Sequence, residues 1–291
     1  MSKSPYSIED LYRDINTING YFGEGDGGKG GRVEHFNNQI AQYCPYYSAF
    51  NDYYCMNYFQ MARSGIIILL ENLKKYNLEY DKLAEYAILF LSYKLKQHSE
   101  HKYKSAKLND FYTNHIKNNN DYNKKIKGNG PTYKEIINKN KDLMNNNEIS
   151  KFNGLFSILC KLYTECDKKK SYTNCSNDAH DFAKNFENLN QDSNINGNTS
   201  YRKLLSTLSN DYDNFKINFA EKCNGCSDLP TLPEIKTPPS KLIPVLSVFP
   251  VIPVFLGIAY KYSLFGVDKL FQRQYLRKKL KKITNKMKLN I

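Results

Sequence analysis

Apolar residues recur at helical spacing along most of this chain. The run Ile66–Leu70 continues to Leu73 and Tyr76, and Leu83, Ala87, Leu91 and Leu95 follow at every fourth position. Two amphipathic helices are predicted there, beginning near Ser64. Three later stripes repeat the pattern: Phe152, Leu155, Phe156, Leu159, Leu162 and Tyr163; then Ala179, Phe182, Ala183, Phe186 and Leu189; then Leu204, Leu208, Tyr212, Phe215 and Phe219. Each gives one apolar face, and the faces are best satisfied by a shared core. No stretch alternates strictly between apolar and polar residues within turn signals, so strands are at most a minor component and the fold class is all-α.

The breaks between these stripes define the organisation. Residues 20–31, GYFGEGDGGKGG, hold so many glycines that the backbone entropy lost in a helix or strand predicts a flexible loop. Between Asn109 and Asn147 the chain is rich in Asn and Lys. It reads as a solvated insert, most open over 117–131, with one short helix after Pro131. Residues 229–240, LPTLPEIKTPPS, carry four prolines and predict an extended spacer. The resulting division is a helical domain over 1–228, a Pro-rich linker over 229–241, an apolar segment over 242–260 and a tail over 261–291.

Leu242 to Tyr260 runs for 19 residues without a charge. That approaches the roughly 20 residues needed to cross a hydrocarbon core, and it predicts a transmembrane helix with the lipid bilayer as partner. Pro244, Pro250 and Pro253 oppose a regular helix, and a buried Pro-rich packing element is the competing reading. Tyr260, Tyr262 and Lys261 suit a membrane interface. Met1–Gly20 has no apolar run of a secretory signal, so translocation would have to use another element, the apolar segment being the candidate.

Charge sharpens this division. The formal net charge is +13, yet residues 241–291 contain 11 Lys or Arg against one acid, Asp268, which leaves 31 basic and 28 acidic residues before them. The main domain is therefore nearly balanced, which argues against a nucleic-acid partner. The tail, with Arg273, Arg277, Lys278, Lys279, Lys281 and Lys282 at its centre, is expected on the cytosolic side by the positive-inside rule. Leu270, Leu276, Leu280 and Ile283 share a side if the tail is helical. Anionic lipid or cytoskeleton is then a candidate partner. The 35 Asn and 24 Tyr without a single Trp point to AT-rich codons rather than to a chemistry.

Seven cysteines, Cys44, Cys55, Cys160, Cys166, Cys175, Cys223 and Cys226, all precede the apolar segment. This asymmetry fits an exported domain with disulfides, Cys44 pairing with Cys55 and the other five supplying one or two bridges, with a thiol left over by the odd count. Zinc held by Cys223-x-x-Cys226 and some of Cys160, Cys166 and Cys175 is the alternative. It is disfavoured because no second CxxC exists. His98 and His101 are expected at the exposed end of a helix, and the five histidines form no HExxH. Gly23 to Lys29 matches the start of a P-loop, but Gly30 stands where Ser or Thr is required and no apolar strand leads in. No nucleophile with a base and no carboxylate pair stands out, so neither catalytic residues nor cofactors are expected.

Five stretches taken together resemble the Plasmodium interspersed repeat (PIR) proteins, especially their rodent-parasite branch. They are LAEYAILFLSYKL at 83–95, KFNGLFSILCKLYTEC at 151–166, CSNDAHDFAKNFENLN at 175–190, YRKLLSTLSNDYDNFK at 201–216 and the C-terminal segment ending in KYSLFGVDKLFQRQYLRKKLKKI. Cys160, Cys175 and the SYKL stretch sit where the family pattern has them. The resemblance implies an exported variant antigen at or near the infected red-cell surface. Its helical ectodomain would face host receptors or antibody, its tail would lie in the host-cell cytosol, and it would carry no catalytic site. The glycine-rich 20–31 segment and the odd cysteine count depart from that pattern.

Overall fold

The computed structural model describes residues 7–145, 147–166, 172–222, 229–237 and 272–282. The chain opens with α1, Ile8–Asn19, whose first turn is capped by the Ser7 hydroxyl accepting from the Asp10 amide at 3.2 Å. Ile8, Leu11, Tyr12, Ile15 and Ile18 form its buried face. Two strands follow, β1 Phe22–Asp26 and β2 Arg32–Phe36, then the one-turn helix α2 Asn38–Ala41 and a pair of two-residue strands, β3 Tyr46–Tyr47 and β4 Asp52–Tyr53.

Asn57 caps α3, Tyr58–Leu73, and a left-handed Asn77 (φ 50°) turns the chain into α4, Tyr80–Gln97. Both helices are buried on nearly every side, Ile66–Leu70 and Leu83–Ser92 without interruption, as expected of central helices. Short helices α5 His101–Lys104, α6 Leu108–Phe111 and α7 Tyr133–Asn138 lead to α8 Asn153–Glu165, α9 Tyr172–Gln191, α10 Ser193–Asn196 and α11 Thr199–Lys222. α1 packs on α3 and α8, α3 on α4, α4 on α7 and α8, and α8 on α9 and α11. The predicted stripes form the core, with Tyr76 and Ala183 left half-buried.

A buried acid ties four of these helices together. Asp211 of α11 is fully enclosed. Its Oδ2 accepts from the hydroxyls of Tyr12 (2.8 Å, α1) and Tyr86 (2.6 Å, α4), and its Oδ1 from Lys82 Nζ (3.3 Å, α4). The Tyr163 hydroxyl of α8 donates to the Asp211 carbonyl at 2.6 Å. Burial, with the neighbouring carboxylate, holds the Tyr12 phenol well above its ordinary range and so keeps it a donor.

Three expectations need correction. Residues 20–31 are not a flexible loop: β1 and β2 pair antiparallel from Phe22↔Phe36 to Asp26↔Arg32, and Gly28, Lys29 and Gly30 supply the positive φ of the turn. The 109–147 insert is packed rather than solvated. Tyr112, Ile116, Tyr122, Ile126, Tyr133 and Ile137 are all buried among its asparagines and lysines, and Tyr122 donates to the Arg63 carbonyl at 2.7 Å. His98 lies buried at the end of α4, while His101 is exposed.

The start of the Pro-rich stretch is extended, as its prolines require, but it is laid onto the helices. Asn190 donates to the Glu234 carbonyl and accepts from the Lys236 amide, both at 2.8 Å, Tyr212 donates to the Pro230 carbonyl at 3.0 Å, and Leu229 is buried. Among the described residues no helix is long and apolar enough to cross a membrane. The 242–260 segment lies outside them.

Candidate interaction surface

The chain between Cys44 and Cys55 is short, aromatic and closed by a disulfide bond between those two residues. Both cysteines are buried, and both neighbouring elements hold them in place. On one side α2 brings Ile40 into the core, where its carbonyl accepts from the Ser64 hydroxyl of α3. On the other, the Met56 amide donates to Gln60 Oε1 at 2.7 Å as the chain enters α3. With its ends fixed, the loop pairs Tyr46 with Tyr53 and Tyr47 with Asp52. It reverses through Asn51 at φ 50° and closes with the Tyr54 amide on the Pro45 carbonyl at 3.0 Å.

The loop holds five aromatic residues, one acid and no Lys or Arg, in a chain with 42 basic residues. Tyr46, Phe50, Tyr53, Tyr54 and Met56 are between 44% and 59% exposed. Their rings meet one another: Tyr46 and Tyr53 at 5.4 Å between centroids, Phe50 and Tyr54 at 5.4 Å, and Tyr54 with Phe36 of β2 at 5.0 Å. The Tyr46 hydroxyl also donates to Asn51 Oδ1 at 2.7 Å. Aromatics held in this way lose little side-chain entropy on contact, and tyrosine offers both a ring face and a hydroxyl. Exposed large hydrophobics on a soluble domain are ordinarily scattered. Here, among the described residues, those outside the tail are Val33, these five and Ile217.

Beside the loop, the β1–β2 hairpin is pinned over the end of α4. Glu24 and Glu34 stand directly opposite each other in the register, a repulsive pairing unless donors intervene. Glu24 accepts from the Ser99 amide (2.6 Å) and hydroxyl (2.5 Å), and Glu34 lies 3.1 Å from His98 Nε2. The Glu100 amide donates to His98 Nδ1 at 3.0 Å, which places the ring proton on Nε2, facing Glu34. Burial pushes the Glu24 carboxyl up, but the Ser99 bonds outweigh it and leave the group below its ordinary value.

Lys94 reaches under the same hairpin. Its ammonium meets the Asn19 carbonyl (2.9 Å), Asn19 Oδ1 (3.0 Å) and the Phe22 carbonyl (2.6 Å), and it lies 4.2 Å from the Phe22 ring centroid. Burial lowers its pKa to about 7. It borders a cavity of about 370 Å³, whose lining also includes Arg32, His35 and His98. The three oxygens accept from the ammonium, so the charged side chain anchors β1 and the end of α1 to α4.

Of the other candidate residues, Cys166 and Cys175 are bonded to each other and link α8 to α9. That pairing takes two thiols out of the zinc reading. Cys160 is a buried thiol that burial pushes up to about 12, too high to be reactive. Among the described residues no group of three or more His, Cys, Asp or Glu is placed to hold a metal, and Cys223 and Cys226 lie outside them. Arg273, Arg277, Lys278, Lys279, Lys281 and Lys282 lie on a helix over 272–282 with every residue exposed. The aromatic loop was not picked out from the sequence. Its signal was the density of Tyr between two closely spaced cysteines.

The family model described as Plasmodium variant antigen protein Cir/Yir/Bir matches residues 12–261. The chain belongs to this family. A solved structure titled "Structure of a Plasmodium PIR protein ectodomain" is 30% identical, covers 79% of this chain and 99% of that chain, and superposes with a TM-score of 0.58. No curated protein matches. The Cir/Yir/Bir match begins within α1 and takes in the hairpin, the aromatic loop and both disulfides, so the glycine-rich segment and these cysteines lie inside the matched region.

Proposed function

We propose that this Cir/Yir/Bir protein is an exported, single-pass variant antigen that works by contact rather than catalysis. In this reading 1–228 is displayed outside, 242–260 crosses the membrane and 261–291 lies in the host-cell cytosol. The role is host interaction or immune evasion. Family membership supports the antigen assignment, and the five stretches quoted above motivate the rodent-parasite branch. The charge-free segment followed by a basic tail supports the topology.

The observation that carries the contact reading is the disulfide-closed aromatic loop. Its rings sit on a fixed frame in a loop that itself carries no Lys or Arg, the composition of a protein-recognition segment. A host receptor or antibody is the expected partner. A second reading, an adaptor on an internal membrane working through its basic tail, is favoured by the exposed helix over 272–282.

Antibodies to residues 64–220 and to the tail, applied to intact and permeabilised infected red cells, separate the two. Ectodomain signal on intact cells, with tail signal only after permeabilisation, is expected. Signal for both only after permeabilisation would refute surface display and leave the adaptor. The triple variant Tyr46→Ser, Phe50→Ser, Tyr53→Ser should then lose most antibody or receptor binding while still unfolding cooperatively with a modestly lowered melting temperature, since these side chains are about half exposed and lie outside the helical core.

A further inference from the structure

Apart from the hairpin, the aromatic loop and the single Ile217 of α11, the exposed large hydrophobics among the described residues gather in a second place. Tyr275, Leu276 and Leu280 are each more than half exposed, and all three lie on the helix over 272–282. This helix, QRQYLRKKLKK, has six basic residues and no acid. At about 100° per residue the three apolar side chains fall within an arc of about 140°, and every basic residue except Lys279 falls outside it. Lys279 lies within the apolar arc, but its Nζ is 5.9 Å from the Tyr275 ring centroid, where a long aliphatic stem covers apolar surface and carries its charge outward.

We propose that the helix over 272–282 is a binding site for anionic lipid headgroups, lying in the plane of a membrane leaflet. Six cations within eleven residues keep this helix out of the hydrocarbon core of a bilayer. A narrow apolar arc flanked by cations is the pattern that seats side chains at the acyl boundary while ammonium and guanidinium groups meet phosphate and carboxylate. An acidic polypeptide would satisfy the charges but leave Tyr275, Leu276 and Leu280 in water. Only eleven residues separate Tyr260 from Gln272. The proximity to a membrane rests on the proposed span at 242–260; the pattern on the helix does not.

The chain contains no tryptophan, so Tyr275→Trp installs a sole reporter on the apolar arc. The full chain carrying it is reconstituted into vesicles of phosphatidylcholine alone and of phosphatidylcholine with phosphatidylserine, both with brominated acyl chains. Each vesicle has the same lipid in both leaflets, so the direction of insertion does not matter. Blue-shifted, quenched emission is expected only with phosphatidylserine, reversing at high salt and abolished by Lys278→Gln, Lys281→Gln and Lys282→Gln together. Equal emission in the two lipids would overturn the proposal. So would a shift with soluble polyglutamate and none with vesicles, which would point to an acidic protein partner. Carbonate extraction of the same vesicles reads the span separately: a chain removed by carbonate yet quenched beforehand refutes the span and keeps the headgroup site.

Discussion

Lys94 shows how one side chain can set the pH response of the domain. Its amine is brought from the usual 10.5 down to about 7 by burial, while Asn19 and Phe22 supply three acceptors for the charged form. Between about pH 7 and 10.5 the unfolded chain binds a proton that the folded chain has released. Stability therefore rises with pH there, by up to about 1.4 kcal/mol per unit. Groups raised by burial act in the opposite sense at higher pH: Cys160, moved to about 12, from about pH 9, and Tyr43, Tyr58 and Tyr122 from about pH 10. The melting temperature is expected to climb from pH 7 to a maximum near pH 9 and then fall, and Lys94→Met should flatten the climb. A wild-type melting temperature flat from pH 7 to 9 would mean that the three oxygens hold the ammonium near its ordinary range. None of this was visible in the sequence. Lys94 sits in SYKL as an ordinary lysine at the end of an apolar stripe, and Asp211 lies on the 204–208–215 stripe like a misplaced charge, its partners 125 and 199 residues away.

At the scale of elements, what could be read was what repeats. The helical stripes of α3, α4, α8, α9 and α11 follow from periodicity because each buries a continuous face. The hairpin escaped because its glycines predict entropy loss, and the packing that compensates comes from elsewhere in the chain. Phe22 fits against Gly65 of α3, close to Tyr58 (5.5 Å between centroids) and Phe90 (6.4 Å). A Cβ added at Gly65 would lie 2.5 Å from Phe22 Cε1. Gly65→Ala, ordinarily a helix-stabilising change, is therefore expected to destabilise the domain by about 1–3 kcal/mol. Amide exchange in β1 and β2 should rise more than exchange in α3 itself. Stabilisation by this substitution would show that the hairpin is not seated on that helix. The 109–147 insert escaped for a related reason. Its buried anchors are single residues at irregular intervals, so composition speaks for solvent while a few large side chains fix the path.

For the whole molecule, the position at which the folded domain ends bears on its proposed display. Composition assigned 229–241 to a spacer, yet residues 229–237 carry hydrogen bonds to α9 and α11 and bury Leu229. On the membrane-span reading, the sequence left to act as a tether is then 238–241, four residues rather than thirteen. A short tether would favour recognition through surfaces built into the fold, such as the aromatic loop, over recognition through a long mobile stalk. The strap can be tested by truncation. A chain ending after Thr237 is expected to melt with the full domain's midpoint, since it keeps Leu229 and both backbone partners of the Asn190 side chain. One ending after Asp228 keeps all seven cysteines but loses the buried leucine and the three hydrogen bonds to Asn190 and Tyr212. Losses of that kind sum to about 3–7 kcal/mol, offset in part by the chain entropy of ordering the strap, and the net loss should lower the midpoint by on the order of 5 °C. Calorimetry of the two chains decides between the alternatives: equal midpoints would return 229–237 to the spacer and restore the long tether, whereas the lower midpoint would make the strap part of the ectodomain.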